Sequence, residues 1–107
     1  MMEIKRESEA FVTVDGLKLY NLLDLLIWLY NTKEENFKYH VEKENHFYTW
    51  IYNSLEEKEL AEKIKDIKDR IEMIKIIEEY MKKFEKIDIK IDKEIAESEF
   101  IKEYILK

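Results

Sequence analysis

The chain has no proline and a single glycine among its 107 residues, so few positions can form tight turns. That glycine, Gly16, follows Asp15 and separates two stretches that favour strand, residues 10–14 and 17–20. Asp-Gly between such stretches is the strongest sequence signal for a two-residue type I′ hairpin turn, in which both residues have positive φ. The sequence therefore predicts one β-hairpin, which must pack on helices because an isolated hairpin is only marginally stable in water.

Helical periodicity covers most of the remaining chain, and polar residues that can cap a helix mark where the helices begin. The predicted fold class is mainly α: a compact bundle of five or six helices with a short N-terminal β-hairpin. The predicted helices are residues 22–30 after Asn21, a second from a Thr32–Glu35 capping box to Val41, a third after Asn45, a fourth after Ser54, a fifth over 70–86 beyond a break at Asp66 to Asp69, and a last over 92–107 after Asp92.

Three features of the C-terminal half leave alternatives open. Residues 55–86 could form one continuous helix, but two are favoured because a solitary long helix would leave apolar surface uncovered. Residues 87–91 alternate isoleucine with charged residues, which fits either a short strand added to the hairpin or a linker. The helix over 92–107 carries an apolar stripe that either folds back on the bundle, the favoured outcome, or docks on a second copy or a partner.

Length and composition exclude several kinds of protein. The 107 residues indicate a single domain, with residues 8–86 as its core, 87–107 as an extension, and 1–7 as a segment that need not be ordered. Cysteine is absent, which excludes disulfides and thiolate metal sites. The abundant isoleucine, lysine and glutamate resemble the usage of a thermophile.

Charge and hydropathy indicate where the protein works and what it does not bind. The net charge is −6, and acidic residues outnumber basic ones in each half, so the basic footprint that nucleic-acid binding needs is missing. No apolar run is long enough to span a membrane, and the N-terminus lacks a signal-peptide pattern. A cytoplasmic location, without nucleic-acid or membrane partners, is therefore expected.

Both histidines of the chain, His40 and His46, lie in one aromatic-rich stretch, residues 36–52. On a helix, His40 and Glu44 would share a face, and His46 could join them if the chain turned at Asn45. These three are weak candidates for a metal site, because catalytic zinc usually has three well-placed protein ligands. Histidines that hydrogen-bond their neighbours are the more common outcome, and no metal or other cofactor is expected.

The aromatic residues of this region can form a core, a binding surface, or both. Aromatic side chains at helical spacing usually form the core of a small domain, and core alone is favoured. Tyrosines near lysines could in addition form a protein-binding patch. The candidate interaction surface consists of Tyr30, Lys33, Lys38, Tyr39, Tyr48 and Tyr52.

The leading functional hypothesis is a small non-catalytic protein-interaction or adaptor domain, since no nucleophile, phosphate-binding loop or metal-ligand set is present in the sequence. Its partner is either an unknown protein or a second copy that associates through residues 92–107. The alternative is a metal-dependent or acid–base enzyme centred on His40 and His46. Nucleic-acid binding is the third and weakest hypothesis.

The order of several motifs, over about residues 10–82, resembles an uncharacterised family of small archaeal and bacterial domains of unknown function. The resemblance implies a compact helical module with an N-terminal hairpin, no known activity, and signature positions whose roles are structural. This chain has His46 where the family has aspartate, which puts a polar role at that position in doubt. The residues that carry the resemblance are Phe11-Val12, Asp15-Gly16, Leu22-x-x-Leu25, Phe37-x-Tyr39-His40-Val41, Asn45-His46-Phe47-x-x-Trp50 and Leu60-Ala61, with His40, Asn45, Phe47 and Trp50 as the signature.

Overall fold

The computed structural model describes residues 7–84 and, of these, the side chains of residues 8–83. This part of the chain is mainly helical, with five α-helices and a two-stranded antiparallel hairpin near the N-terminus, which confirms the predicted fold class. The predicted strand or linker over 87–91 and the predicted helix over 92–107 lie outside the described residues. The elements are a 3-10 turn at Glu7–Glu9, β1 Phe11–Val12, β2 Lys18–Leu19, α1 Leu22–Asn31, α2 Glu34–Val41, α3 His46–Asn53, α4 Lys58–Ile64 and α5 Arg70–Phe84.

The hairpin loop has three residues, 14–16, so the predicted two-residue type I′ turn is wrong. Thr13 N donates to Leu17 O at 2.8 Å, and Gly16 N donates to Thr13 O at 2.9 Å. Within the loop only Gly16 has a positive φ, +87°, as in a G1 bulge. The added residue gives the Asp15 carboxylate its position, in which it accepts hydrogen bonds from Thr13 and Trp28.

The hairpin has an inner face on the core and an outer face toward solvent. Phe11 lies opposite Leu19, and both side chains are buried. Val12 lies opposite Lys18, and both are exposed. The alternation of a strand therefore leaves an apolar side chain, Val12, on the solvent side of β1.

The predicted cap of the first helix is confirmed. Asn21 Oδ1 accepts from Asp24 N at 2.8 Å, which satisfies one of the free N–H groups at the start of α1. The Asp24 carboxylate in turn accepts from Tyr20 N at 2.9 Å. These reciprocal bonds set the direction in which the chain leaves β2 and enters α1.

The predicted caps at Ser54 and at the Thr32–Glu35 box are wrong. Lys33 and Glu57 occupy the N-cap positions of α2 and α4, and neither side chain forms a capping hydrogen bond. Thr32 and Ser54 instead end the preceding helices, α1 and α3, because each donates its backbone N–H to the last helical turn, at 2.8 Å in both cases. The N-cap position of α2 comes one residue after Thr32, and that of α4 comes three residues after Ser54, so the residue that ends one helix does not begin the next.

The break between the fourth and fifth helices at Asp66 to Asp69 is confirmed. The chain leaves α4 through a hydrogen bond of 3.0 Å from Ile67 N to Ile64 O. Asp69 Oδ2 then accepts from Glu72 N at 2.8 Å and caps α5. Residues 58–84 are thus two helices, which cover each other's apolar surface.

The core is continuous through all five helices. α3 packs against α2 and α4, and α5 packs against α1 and α4. None of the helices within residues 7–84 combines the length and the apolar character needed to cross a membrane. The largest fully buried side chains are Phe37, Phe47, Leu22, Leu25, Leu29, Ile51, Leu55, Leu60, Ile64, Met73, Ile77 and Val41.

We predict that Glu56→Gly stabilises the protein. Glu56 joins α3 to α4 with a φ of 57°, a left-handed conformation that costs a residue with a Cβ about 1 kcal/mol relative to glycine. The free energy of unfolding, measured by urea denaturation, should therefore rise by about 0.5–1 kcal/mol. The matched control is Glu79→Gly, at an exposed position inside α5, which should lower it by about 1 kcal/mol. A loss of stability in Glu56→Gly would contradict the prediction.

Candidate functional site around two histidines

The last turn of α2 directs His40 into the core, where its ring is buried with 3% exposure. Three buried aromatic rings pack on it, and their centroids lie 5.0 Å away for Phe11, 5.6 Å for Trp28 and 5.3 Å for Phe47. These rings come from β1, α1 and α3. The imidazole of His40 therefore lies where the hairpin meets three helices.

Hydrogen bonds assign the protons of both imidazoles. Val14 N donates to His40 Nε2 at 3.0 Å, so this nitrogen carries no proton and neutral His40 holds its proton on Nδ1. His40 Nδ1 lies 3.1 Å from His46 Nδ1, which must accept. The His46 proton is then on Nε2, which lies 3.3 Å from Glu44 Oε1. We call this chain of groups, Val14, His40, His46 and Glu44, the histidine relay.

The environment of His40 favours its neutral form. Burial and the nearby His46 ring lower the pKa of His40 to about 4, although the Asp15 carboxylate acts in the opposite direction. Its Nε2 lone pair is moreover occupied by the backbone N–H of Val14. His40 therefore serves as a hydrogen-bond acceptor for the hairpin loop.

Asp15 anchors the same loop to α1. Its Oδ1 accepts from Trp28 Nε1 at 3.0 Å and from the Thr13 hydroxyl. Thr13 Oγ1 in turn accepts from Leu17 N at 2.9 Å. Burial raises the pKa of Asp15, but the hydrogen bonds from Thr13 and Trp28 favour the carboxylate and hold the pKa below its ordinary value.

The three candidate metal ligands do not converge on one point. α2 ends at Val41, so Glu44 lies in the loop after the helix and does not share a helical face with His40. The two histidines face each other through Nδ1, whereas Glu44 lies on the Nε2 side of His46. In the described part of the chain, no group of three or more His, Cys, Asp or Glu side chains could hold a metal ion.

Asn45 joins two helices through one side chain. Its Oδ1 accepts from Tyr48 N at 3.0 Å and caps α3, as predicted. Its Nδ2 donates to Ile64 O at 2.8 Å, in the last turn of α4. The second bond was not predicted, because nothing near Asn45 in the sequence indicates where α4 ends.

The other two signature positions lie in α3. The Phe47 side chain is fully buried. Trp50 is also buried, and its Nε1 donates to Glu9 O at 2.8 Å, which attaches the segment before β1 to α3. Together with His40, these residues hold the N-terminal segment on the helices.

The six residues of the predicted interaction surface lie in different settings. Tyr30 OH donates to Glu78 at 2.9 Å across α1 and α5, where burial and this bond raise its pKa to about 12. The rings of Tyr48 and Tyr52 are 5.6 Å apart on α3. Tyr39 on α2 is 59% exposed and packs on His40 and His46. Lys38 Nζ donates to Lys68 O at 2.8 Å, and Lys33 is exposed before α2.

Three apolar residues of the hairpin are exposed but were not among the residues predicted from the sequence: Val12 is 59% exposed, Val14 44% and Leu17 53%. With Tyr39 they form what we call the hairpin patch. The His40 ring contacts Tyr39 directly and the backbone of Val14 through Nε2, which connects the two parts of this patch. Strand alternation could have predicted Val12, since buried Phe11 and Thr13 on either side leave it pointing outward.

Comparisons with known proteins found no match to this chain. No protein-family model, no curated protein and no solved structure matches it. The resemblance seen in the sequence therefore stays a prediction, and a function has to be inferred from the described side chains.

We predict that acidification destabilises the fold through His40. The pKa of His40 is about 4 in the folded chain and ordinarily 6.5, so the unfolded state binds more protons between these values. The free energy of unfolding should therefore fall as the pH drops through this window, by about 2 kcal/mol in total. The lowered pKa of Asp15 adds to this loss of stability only as the pH falls below its ordinary value of 3.8.

Urea denaturation at several pH values between about 7.5 and 4.5 measures this loss. The control is His40→Gln, which is expected to be less stable near neutral pH but to show a shallower pH dependence. Equal unfolding free energies for the wild type at both ends of the range would contradict the role of His40.

We predict that Asn45→Asp is destabilising although aspartate is a good N-cap. The variant keeps an oxygen for Tyr48 N, but it replaces the donor to Ile64 O with a negative charge at the carboxyl end of α4. Thermal and urea unfolding should show a loss of about 1–2 kcal/mol, and a similar or larger loss for Asn45→Ala. Asn53→Ala, at an exposed position in α3, is the control and should change little. If Asn45→Asp has the same free energy of unfolding as the wild type, the contact with α4 contributes nothing to stability.

Proposed function

We propose that this chain is a non-catalytic protein-interaction domain that binds a short, extended apolar segment of a partner protein on the hairpin patch. One observation carries the proposal: Val12, Leu17 and Tyr39 are each more than half exposed around one hairpin loop. Several exposed apolar residues in one region are characteristic of interaction sites, whereas single exposed apolar residues are common.

The outer face of the hairpin is unusual for a sheet that packs on a core with one side. Such sheets commonly carry polar residues on the other side. Here Val12 occupies the outward position of β1, the residue paired with it is Lys18, and Val14 follows as an exposed residue of the loop. Exposure of these valines is unfavourable in the free protein, and their burial by a partner would stabilise a complex.

The size of the hairpin patch favours a peptide over a folded partner. Its four side chains expose roughly 400 Å², within the range of single functional patches. A stable interface between folded proteins needs about 800 Å² from each side. Two copies of this chain would also repel each other, since each has a net charge of −6.

We propose that such a segment adds a strand to the hairpin. It has two strands and, among the described residues, no third strand beside them. An extended peptide can add a strand to an open sheet edge, with backbone hydrogen bonds for affinity and alternate side chains for specificity. This mode of binding fits the outward position of Val12 in β1.

The geometry supports the acid–base alternative less well. A general base needs a ring nitrogen within reach of a substrate. His40 Nε2 is bonded to Val14, the two Nδ1 atoms face each other, and His46 Nε2 lies near Glu44. A substrate would have to displace one of these partners before it could exchange a proton with either histidine.

We predict that linear peptides selected on the full chain bind the hairpin patch. Phage display of random peptides on the immobilised protein should select apolar sequences, because the patch is apolar. Titration of synthetic copies into ¹⁵N-labelled protein should shift the amide signals of residues 12–18 and 39–41. Val12→Ser and Leu17→Ser, both at exposed positions, should lower the affinity about tenfold or more.

The chain offers matched controls for this experiment. Leu23 in α1 and Ile71 in α5 are also exposed apolar residues, at 41% and 48%. Leu23→Ser and Ile71→Ser should leave the affinity unchanged. The proposal is overturned if no peptide is selected, if the hairpin variants bind as the wild type does, or if the shifted signals lie around Tyr48 and Tyr52.

A further inference from the structure

We infer that His40 and His46 form a proton-driven tautomer switch, which holds the hairpin patch in place near neutral pH and releases it when one proton is taken up. This inference rests on the proposed function, because it describes how binding at the same patch is regulated. It depends on the histidine relay, whose contacts connect the backbone of the exposed hairpin loop to an exposed carboxylate.

The relay has one arrangement of protons when both rings are neutral. His40 holds its proton on Nδ1 because Nε2 accepts from Val14 N at 3.0 Å. His46 then accepts at Nδ1, 3.1 Å away, and holds its own proton on Nε2, beside Glu44. Any proton added to the pair must displace one of these contacts, since two N–H groups cannot face each other at hydrogen-bond distance.

Uptake of one proton reverses the tautomer of His40. The N–H bond at His40 Nδ1 breaks, and its proton forms a new bond at His46 Nδ1. A proton from solvent forms the N–H bond at His40 Nε2. The rings hold two protons before the change and three after it, and the added charge lies on His46. His40 stays neutral, but its Nε2–H now opposes the N–H of Val14.

The surroundings favour a positive charge on His46 over one on His40. His40 is 3% exposed among aromatic rings, where burial of an ion is costly. The His46 side chain is 35% exposed, and the Glu44 carboxylate lies 3.3 Å from its Nε2. The titratable groups around His40 are Asp15 from the hairpin, Tyr39 from α2 and His46 from α3, and Glu44 from the loop after α2 contacts His46.

The switch acts on the hairpin patch through one residue. Val14 provides the backbone N–H that His40 accepts, and its side chain, 44% exposed, is part of the patch. Tyr39, the other end of the patch, packs on both imidazoles. Reversal of the His40 tautomer therefore removes the bond that sets the distance between the hairpin loop and α2.

Imidazole ¹⁵N NMR of the full chain tests the tautomers directly. Near pH 7.5 the spectrum should show a proton on Nδ1 of His40 and on Nε2 of His46. In the acidified state with three ring protons, His46 should carry both of its protons and His40 should carry its proton on Nε2. The protection of the Val14 amide, corrected for the pH dependence of intrinsic exchange, should then be about tenfold lower. A His40 ring that keeps its Nδ1 proton throughout the titration overturns the switch.

Peptide affinity tests the regulation. Between about pH 7.5 and 5, a peptide selected on the hairpin patch should bind the wild type about three- to tenfold more weakly, the equivalent of one backbone hydrogen bond. His46→Gln keeps an oxygen that accepts from His40 Nδ1 but cannot take up the proton, so its affinity should change less than about twofold. The regulation is overturned if the peptide affinity falls equally in the wild type and in His46→Gln, or if it does not fall in the wild type.

A pair of carboxylate variants separates the relay from general surface charge. Glu44→Gln removes the partner of charged His46, so the midpoint of the tautomer change should move to lower pH. Glu42→Gln, at an exposed position in the same segment, should leave it unchanged. Equal midpoints for Glu44→Gln and the wild type count against the relay. The NMR measurements need no peptide, so failure of the switch and failure of peptide binding are distinguishable.

Discussion

The buried imidazole of His40 is the contact on which the placement of the hairpin depends. Each strand of the hairpin is only two residues long, so its own ladder contributes little stability. The ring of His40 packs on Phe11, Trp28 and Phe47, and its Nε2 binds the loop backbone. An ionisable side chain therefore occupies a core position that is apolar in most proteins, and its Nε2 lone pair attaches the hairpin loop.

The helices meet in a chain that has almost no glycine and no proline to turn it. Asparagine side chains take over part of that task. Asn21 starts α1, and Asn45 starts α3 while it also binds the end of α4. Where the backbone must adopt a left-handed conformation between α3 and α4, a glutamate, Glu56, adopts it with a φ of 57°. The compact connections thus rest on a few local contacts, each of which a single substitution can remove.

Features of the fold could be predicted from the sequence when the groups that determine them lie close together along the chain. Asn21 and the Asp66–Asp69 break were predictable because a cap is decided by groups three residues away. Thr32 and Ser54 have the same local pattern, but their backbone N–H groups donate to the last turn of the preceding helix, so both residues end that helix. Propensity rules describe one helix at a time and do not describe this competition between neighbours.

The candidate site was predictable in its residues but not in its geometry. The spacing of His40 and His46 was visible, yet their facing Nδ1 atoms depend on where α2 ends and α3 begins. The bond between Val14 and His40 spans 26 residues and follows no sequence period. Only the outward direction of Val12 follows from strand alternation, once the inner face is known.

Both tryptophans of the chain form hydrogen bonds with the same N-terminal segment, from different helices. Trp28 on α1 donates to Asp15 in the hairpin loop, and Trp50 on α3 donates to the backbone of Glu9 just before β1. Indole emission is sensitive to the polarity and hydrogen bonding of its surroundings. The intrinsic fluorescence of this protein is therefore a built-in reporter of whether that segment is docked, and it needs no added label.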